Sequence, residues 1–389
     1  MYCLLSEEEC ALILSKTFKN KNYIFVKQET KPFSDVVLGY LGEHLLLTIF
    51  YKNQQKINKV SYFIKCAPQN QTQKQFIDDL DVIHKERSVY ELISKLRPFV
   101  SRPFSAEYYF GRSNDIVVFE NLKPQGYGVP KQDYFNQQQI EAVLKTMAIM
   151  HSASMKFEDN ENHVLTDECN EHFIDDSYIN ETSRNDWYKS ATNCIARLGE
   201  YFTGKDYKRK LFDYLEDELM ELDKASSNSR NVLCHNDLWA NNIMFKENND
   251  DCLFVDFQFV KYRPPSHDFW FFLYFNTEYE FLKTHLDEFV DFYYKHLQNE
   301  LGDEEVYTKE EFLISIREFA KPVLFQVGTC VTNVFISEKF SKEMIQNKQL
   351  YQDFMMGDRS KYVLEEMRNN PMFEVRLRNV IVPLCSLFE

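Results

Sequence analysis

Val232–Asp256 reads VLCHNDLWANNIMFKENNDDCLFVD, and four of its residues decide how the rest of the chain is read. His235 and Asp237 form a His-x-Asp pair, Asn242 follows Asp237 by five residues, and Asp256 closes the apolar run CLFV. An aspartate can accept the proton of an attacking hydroxyl, and an asparagine with a second aspartate can supply hard oxygen ligands to magnesium. Those residue types in that order are what moving a phosphoryl group requires. Asp237 is the candidate base, a role worth about 10²–10⁴-fold in rate. Asn242 and Asp256 are the candidate metal ligands. The apolar runs Ile243–Phe245 and Leu253–Val255 bracket the polar ENNDD turn, so a hairpin is predicted with Asn242 and Asp256 at its open end.

Upstream the texture predicts a small antiparallel sheet with one packed helix. VVLGYLGEHLLLTIFY and KVSYFIKCAP are two β-rich runs separated by the polar KNQQKIN. Gln71 to Leu96 reads as a helix whose Phe76, Leu80, Ile83, Tyr90 and Ile93 share a face, and Pro98 stops it. Two more strands are predicted near Phe104–Phe110 and Asp115–Glu120. Ahead of the sheet, Ser6 and Glu9 form a capping box that opens a helix through about Phe18. Lys65 interrupts the apolar strand YFIKCAP, and an inward charge there needs a partner. Glu86 lies 21 residues on, on the following helix. A lysine held by a glutamate is what nucleotide phosphates bind in this chemistry. Gly39 and Gly42 are candidates for a phosphate-covering turn. Val118–Leu122 suits an adenine-binding hinge that uses backbone groups, with Glu120 and Leu122 as its candidates.

Downstream the pattern turns helical. Asn136 and Gln139 cap a helix with Ile140, Val143, Leu144, Met147 and Met150 at helical spacing. Asp167 to Ser229 is polar around an amphipathic stretch from Leu211 to Leu222, and helices are predicted from the end of the hairpin through about Leu387. The fold class is therefore α+β: a two-lobed, protein-kinase-like fold. Residues 1–119 are expected to form the nucleotide-binding N-lobe with its leading helix. Residues 120–389 are expected to form the helical C-lobe with the base, the metal site and the acceptor pocket.

The bulk numbers agree. At 389 residues, 44 % apolar and 15 % aromatic, the chain buries a large core and is not disordered. A net charge of −15 argues against nucleic acid or an anionic membrane as partner. Nine cysteines without a CxxC pair read as reduced thiols packed as small hydrophobes. No basic leader is present, and no apolar run approaches the ~20 residues of a membrane span, so the cytosol is the expected compartment.

Competing chemistries lack their parts. There is no GxSxG elbow, no Walker GxxxxGK[ST], and no second histidine cluster for a metallohydrolase. His235 reads as a brace for its loop, and Asp268, in PPSHDFWFFL, as a helix cap or a tether for that loop. Trp239 reads as core packing or as part of an acceptor pocket. The run Phe269–Phe275, Trp270 and Tyr274 included, reads as a core helix or as a pocket lining. A protein kinase is disfavoured. Asn236 stands where many have arginine, Asp256-Phe257-Gln258 lacks the glycine of DFG, and no APE-like segment follows.

VLCHNDLWANNIMF, VDFQFVKYRPPSHDFWFFL, VVFENLKPQGYG and YFIKCAP together resemble the ecdysteroid kinase-like (CHK-kinase-like) family of arthropods, related to choline and aminoglycoside kinases. The likeness runs from about Ser34 to Glu300. It departs at the phosphate turn, GEHLLL, where relatives often have GENY. The resemblance implies ATP- and Mg²⁺-dependent phosphorylation of a small-molecule hydroxyl, on an ecdysteroid or a similar apolar alcohol or xenobiotic. It implies Asp237 as base, Asn242 and Asp256 at the metal, and Lys65 with Glu86 at the phosphates. A choline, ethanolamine or aminoglycoside acceptor is the alternative, and a pseudokinase-like binding protein a further one.

Overall fold

The computed structural model describes residues 4–19, 23–33, 43–54, 56–67, 82–112, 115–168, 181–219, 225–302 and 306–389. Helix α1 (Glu7–Thr17) begins at a capping box: the Ser6 hydroxyl accepts from the Glu9 amide at 3.1 Å, and the Ser6 amide donates to Glu9 Oε2 at 2.7 Å. Then follow β1 (Ile24–Pro32), β2 (Glu43–Asn53), β3 (Lys56–Cys66), helix α2 (Val82–Leu96), β4 (Tyr108–Arg112) and β5 (Ile116–Glu120). The strands form one antiparallel sheet in the order β1-β2-β3-β5-β4.

Strand alternation sorts this sheet's two faces. Tyr62, Ile64 and Cys66 of β3, with Ile116 and Val118 of β5, pack with Cys10, Ile13 and Leu14 of α1. Val117 and Phe119 of β5 point to the other face, into the large core shared with α2 and the helical lobe. Lys65, between Ile64 and Cys66, therefore faces α2 and the cleft between the lobes. Its register partners are His44 and Val117.

Three expectations shift here. β1 was not anticipated, because IFVKQETKP is an edge strand whose Ile24 and Val26 are exposed and whose remaining residues are largely polar. The strand expected over Phe104–Phe110 begins only at Tyr108. The backbone before it pairs across the lobes instead, Phe104 O accepting from Phe254 N at 2.8 Å. The helix expected from Gln71 is described from Val82; the part before it, and Val36–Gly42 of the strand run, lie outside the described residues.

After β5 come β6 (Tyr127–Gly128), α3 (Gln137–Glu161), α4 (Glu181–Thr203), α5 (Lys208–Tyr214), β7 (Val232–Cys234), β8 (Ile243–Lys246), β9 (Cys252–Phe254) and β10 (Lys261–Arg263). Seven helices follow among the described residues: α6 (Pro265–Asn276), α7 (Tyr279–Leu301), α8 (Lys309–Val334), α9 (Glu338–Gln346), α10 (Lys348–Met355), α11 (Ser360–Asn369) and α12 (Pro371–Ser386). Asn136 caps α3 in a second capping box with Gln139. The polar stretch after Asp167 holds the 23-residue α4, which buries a stripe including Ala191, Cys194, Ile195 and Leu198. All twelve residues of α6 are buried, as a helix apolar nearly all round must be. No single described helix is long and apolar enough to cross a membrane.

The lobes meet along an aromatic column. Phe257 packs edge-on against Tyr90 of α2 (5.3 Å between centroids) and against the His235 ring (4.5 Å). The residues after Asp256 are thereby pinned to both lobes at once.

Candidate active site

β7 ends at Cys234 and delivers His235, Asn236 and Asp237 into a loop that would leave backbone amides unpaired. Asp268, one turn into α6, supplies the acceptors: Oδ2 takes the His235 amide at 2.6 Å and Oδ1 the Asn236 amide at 2.8 Å. His151 of α3 reaches Asp268 Oδ2 at 3.3 Å, and its other ring nitrogen meets Tyr293 Oη at 2.7 Å. Burial would raise the Asp268 carboxyl, yet His151 and these contacts hold it below its ordinary value. His151, Cys234 and Asp268 converge closely enough to chelate an ion. The hydrogen bonds already occupy the carboxylate, so the cluster is accounted for as a tether. Asn236 adopts φ +62°, the left-handed region, and its amide group donates to Phe259 O at 3.0 Å. Asparagine bears that backbone better than most residues.

His235 Nε2 donates to Val255 O at 3.0 Å, which ties the loop to the strand end carrying Asp256. Burial lowers its basicity, so the ring is neutral. The predicted hairpin is β8–β9, Ile243 opposite Phe254, and Val255 N donates to Asn242 O at 3.0 Å. Asn242 and Asp256 thus leave the hairpin side by side. Asp256 also sits in the left-handed region, φ +67° and ψ +64°.

Asp237 is half-buried. The Asn242 side-chain amide donates to both its carbonyl and its Oδ2, each at 2.8 Å. Burial raises the Asp237 carboxyl well above its ordinary value and the Asp256 carboxylate adds to this, while the Asn242 and Trp239 side-chain hydrogen bonds oppose it. With its nitrogen spent on Asp237, Asn242 has its Oδ1 without a hydrogen bond among the described residues.

Lys65 Nζ lies 2.8 Å from Glu86 Oε2, 2.8 Å from Asp256 Oδ1 and 3.2 Å from Gln258 Oε1. The contact to Asp256 spans 191 residues and both lobes. Burial alone would lower the ammonium; Asp256 and Glu86 more than offset it and raise it. Burial, with Asp256 adding, raises the Glu86 carboxyl, and Lys65 opposes. One ammonium stands among the Glu86, Asp237 and Asp256 carboxyl groups, and burial raises two of these acids toward their neutral form. Two hard oxygen donors, Asn242 Oδ1 and the partly exposed Asp256 carboxylate (30 %), stand there. That donor set fits a magnesium ion.

Several other candidates fall elsewhere. Glu120 ends β5, its Oε1 accepting from Gln125 Nε2 at 2.6 Å, and the Leu122 carbonyl closes the turn after it. Gly39 and Gly42 lie outside the described residues. Trp239 is half-buried, its ring 6.2 Å from Phe335 and 6.4 Å from Phe275. Trp270 and Tyr274, read as core helix or as possible acceptor-pocket lining, are placed in the core. They stack at 4.8 Å, and Trp270 Nε1 donates to Ile316 O at 2.7 Å. The reason is that α6 has no face to spare for a ligand. A cavity of about 370 Å³ between α3, α7 and the β8–β9 turn holds none of the candidates. Arg102 and Lys246 there are both engaged by Asp251.

Two residues at the cleft escaped the sequence reading. Gln258 registered only as the missing glycine of DFG, yet it bonds both Lys65 and Asp256. His44, opposite Lys65, is pushed down to about 4 by burial and by the Lys65 charge. Neither carries a spacing signal; only strand register and the turn after Asp256 bring them in.

The sequence model of the Ecdysteroid kinase-like family matches residues 39–305. No curated protein matches the chain in sequence. Among solved structures, the Plasmodium vivax ethanolamine kinase is 14 % identical at a TM-score of 0.43, with 84 % of this chain and 83 % of that one covered. The gentamicin complex of APH(2'')-IIa is 13 % identical at 0.41, with 96 % and 99 % covered. The ADP-bound aminoglycoside phosphotransferase APH(2'')-Ib is 12 % identical at 0.38, with 97 % and 99 % covered.

Proposed function

From the premise that the chain belongs to the ecdysteroid kinase-like family, phosphotransferases acting on small-molecule hydroxyls, we propose that it phosphorylates a neutral, apolar-bodied alcohol such as an ecdysteroid, with ATP and Mg²⁺. The observation that carries this is Lys65 held between Glu86 of one lobe and Asp256 of the other, beside an Asp237 oriented by Asn242. Lys65 binds the α- and β-phosphates. Asn242 Oδ1 and Asp256 would hold a magnesium ion, which would supply positive charge against the charge developing on the phosphoryl group. Asp237 accepts the acceptor's hydroxyl proton. The freed oxygen bonds the γ-phosphorus as that phosphorus parts from the β–γ bridging oxygen, and ADP leaves. The backbone at Glu120–Leu122 receives the adenine. The expected setting is the cytosol.

A neutral acceptor is favoured over a quaternary amine by what surrounds Trp239. The Phe335 ring beside it already carries the Arg376 guanidinium, 3.9 Å from its centroid, and Tyr134 lies 4.9 Å from the same group. A cationic acceptor would meet a like charge where an aromatic cage would have to be. The test offers an ecdysteroid, a plant glycoside, choline and ethanolamine at equal concentration with labelled ATP and Mg²⁺. Label should go to the ecdysteroid first. Preferential labelling of choline would overturn the neutral-acceptor reading, and no labelled small molecule beside a labelled protein would overturn the function.

A further inference from the structure

Gln258 makes two hydrogen bonds, and they have opposite polarity. Its Oε1 accepts from Lys65 Nζ at 3.2 Å, and its Nε2 donates to Asp256 Oδ2 at 3.3 Å. With Glu86 and Asp256 each 2.8 Å from the same nitrogen, Lys65 has partners for all three of its protons. Asp256 likewise has both oxygens engaged, Oδ1 by Lys65 and Oδ2 by Gln258. No Lys65 proton is left over for a nucleotide. A phosphate oxygen that bonds Lys65 must displace something already there, and a cation that bonds Asp256 meets the Gln258 N–H on the same carboxylate.

Of the bonds in this ring, those of Gln258 are the longest and involve a neutral group. The contacts to Glu86 and Asp256 are shorter, 2.8 Å against 3.2 and 3.3 Å, and join opposite full charges, so they hold more tightly than the ion–dipole bonds of the amide. The amide is the part that yields. Its oxygen touches Lys65 as a phosphate oxygen would, and its N–H touches Asp256 as a cation would. One neutral group therefore imitates both halves of a metal–nucleotide complex.

The surroundings dictate how it yields. Phe257 is fully buried between Tyr90 and His235, so the backbone on that side is fixed. Position 258 carries a side chain where a glycine would free the chain to flip. Only rotation of the Gln258 side chain remains.

We propose that Gln258 is a placeholder for the metal–nucleotide complex. It keeps Lys65 and Asp256 aligned in the empty cleft, leaves both when Mg²⁺·ATP arrives, and so sets nucleotide affinity as a positioning residue. This rests on the phosphotransferase reading given above.

The variant Gln258→Met keeps the length of the side chain and removes both bonds. One Lys65 proton and one Asp256 oxygen then wait unpartnered until the ligand comes. Calorimetric titration of the full chain with ATP and Mg²⁺ should show binding about three- to tenfold tighter than wild type. The rise in melting temperature on adding Mg²⁺·ATP should exceed that of wild type. With an accepted alcohol, KM for ATP should fall without a gain in kcat. Gln258→Glu, which grips Lys65 harder and repels Asp256, should bind ATP about tenfold more weakly. If Gln258→Met does not fold, Gln258→Asn, one methylene too short to span both partners, carries the same expectation. Folded Met or Asn variants that bind Mg²⁺·ATP as wild type does, or more weakly, would overturn the placeholder alone. A wild-type chain that binds no Mg²⁺·ATP would remove the phosphotransferase reading, and the placeholder with it.

Discussion

Lys65 and Arg359 are both buried cations, and they are kept in opposite ways. Lys65 stands among carboxylates: Glu86 and Asp256 at 2.8 Å, with Asp237 beyond. Arg359 is fully buried and, among the described residues, has no carboxylate bonded to it. Its guanidinium donates to Ser190 Oγ, Thr329 O, Thr332 Oγ1, Trp187 O and Met355 O at 3.2–3.5 Å, between the rings of Trp187 and Phe354. Burial lowers its pKa to about 10, whereas the acids beside Lys65 raise that of the ammonium. Arg359 is matched to fixed carbonyls and hydroxyls, so it staples helices α4, α8 and α10 and has nothing to exchange. Lys65 sits among more acidic groups than one ammonium can pair, and two of them are raised by burial. A site built that way suits the second cation proposed for it.

The largest effect should come from the acid next to that cluster. Asp237→Asn is expected to lower kcat by about 10²–10⁴-fold while Mg²⁺·ATP binding, read by calorimetry, stays close to wild type. Activity within a few-fold of wild type would remove Asp237 from the chemistry. Next is Lys65→Met, expected to cost about 10²–10³-fold in kcat/KM with the melting temperature little changed. The Glu86 carboxyl, raised to about 7, can take up a proton when its partner goes. A variant that unfolded but kept activity when folded would make Lys65 a second Arg359.

Arg359→Met should do the reverse. It leaves three carbonyls and two hydroxyls short of donors, and denaturant unfolding should show a loss of about 1–3 kcal/mol. kcat/KM of the folded variant should lie within about twofold of wild type if the residue only staples helices. A collapse of activity without loss of stability would erase the contrast with Lys65.

The smallest effect concerns a buried group that avoids charge. His267 lies 2.9 Å from the Arg263 guanidinium, and burial, with that charge, pushes its pKa from 6.5 down to about 3. The unfolded chain takes up this proton near pH 6.5 and the folded one does not. Stability is therefore fully present above pH 6.5 and falls as the pH drops toward 3. At about one pH unit below the unfolded value, His267 alone should remove roughly 1.4 kcal/mol, and His267→Gln should lose that much less over the same interval. Equal pH slopes for the two proteins would refute a neutral His267.

Legibility in the sequence followed the reach of each interaction. The two-lobed fold was readable because strand alternation, helical spacing and capping boxes at Ser6 and Asn136 are local signals. Lys65, Glu86, Asp237, Asn242 and Asp256 were marked by residue type and spacing, and they meet in one cleft. Helix α4 was not read, because one buried stripe in a polar segment resembles a loop in composition. β1 was missed for a related reason: an edge strand is not obliged to hide its apolar residues. Trp270 and Tyr274 show the opposite failure, since an aromatic run reads alike as core and as pocket until its neighbours are known. Gln258 was invisible because an amide takes its meaning from the two groups it touches.

Helix α6, buried along its whole length, also bears on the clock of this molecule. Amide protons inside it can exchange with solvent only when the lobe around it comes apart. The amides of His235 and Asn236 stand in a loop, but their protons are bonded to Asp268 on that helix. In deuterated water they should outlast the neighbouring loop amides and disappear at the rate of Phe269–Tyr274. Two slow protons in a loop would then report, without any ligand, whether the loop that carries Asp237 is still anchored.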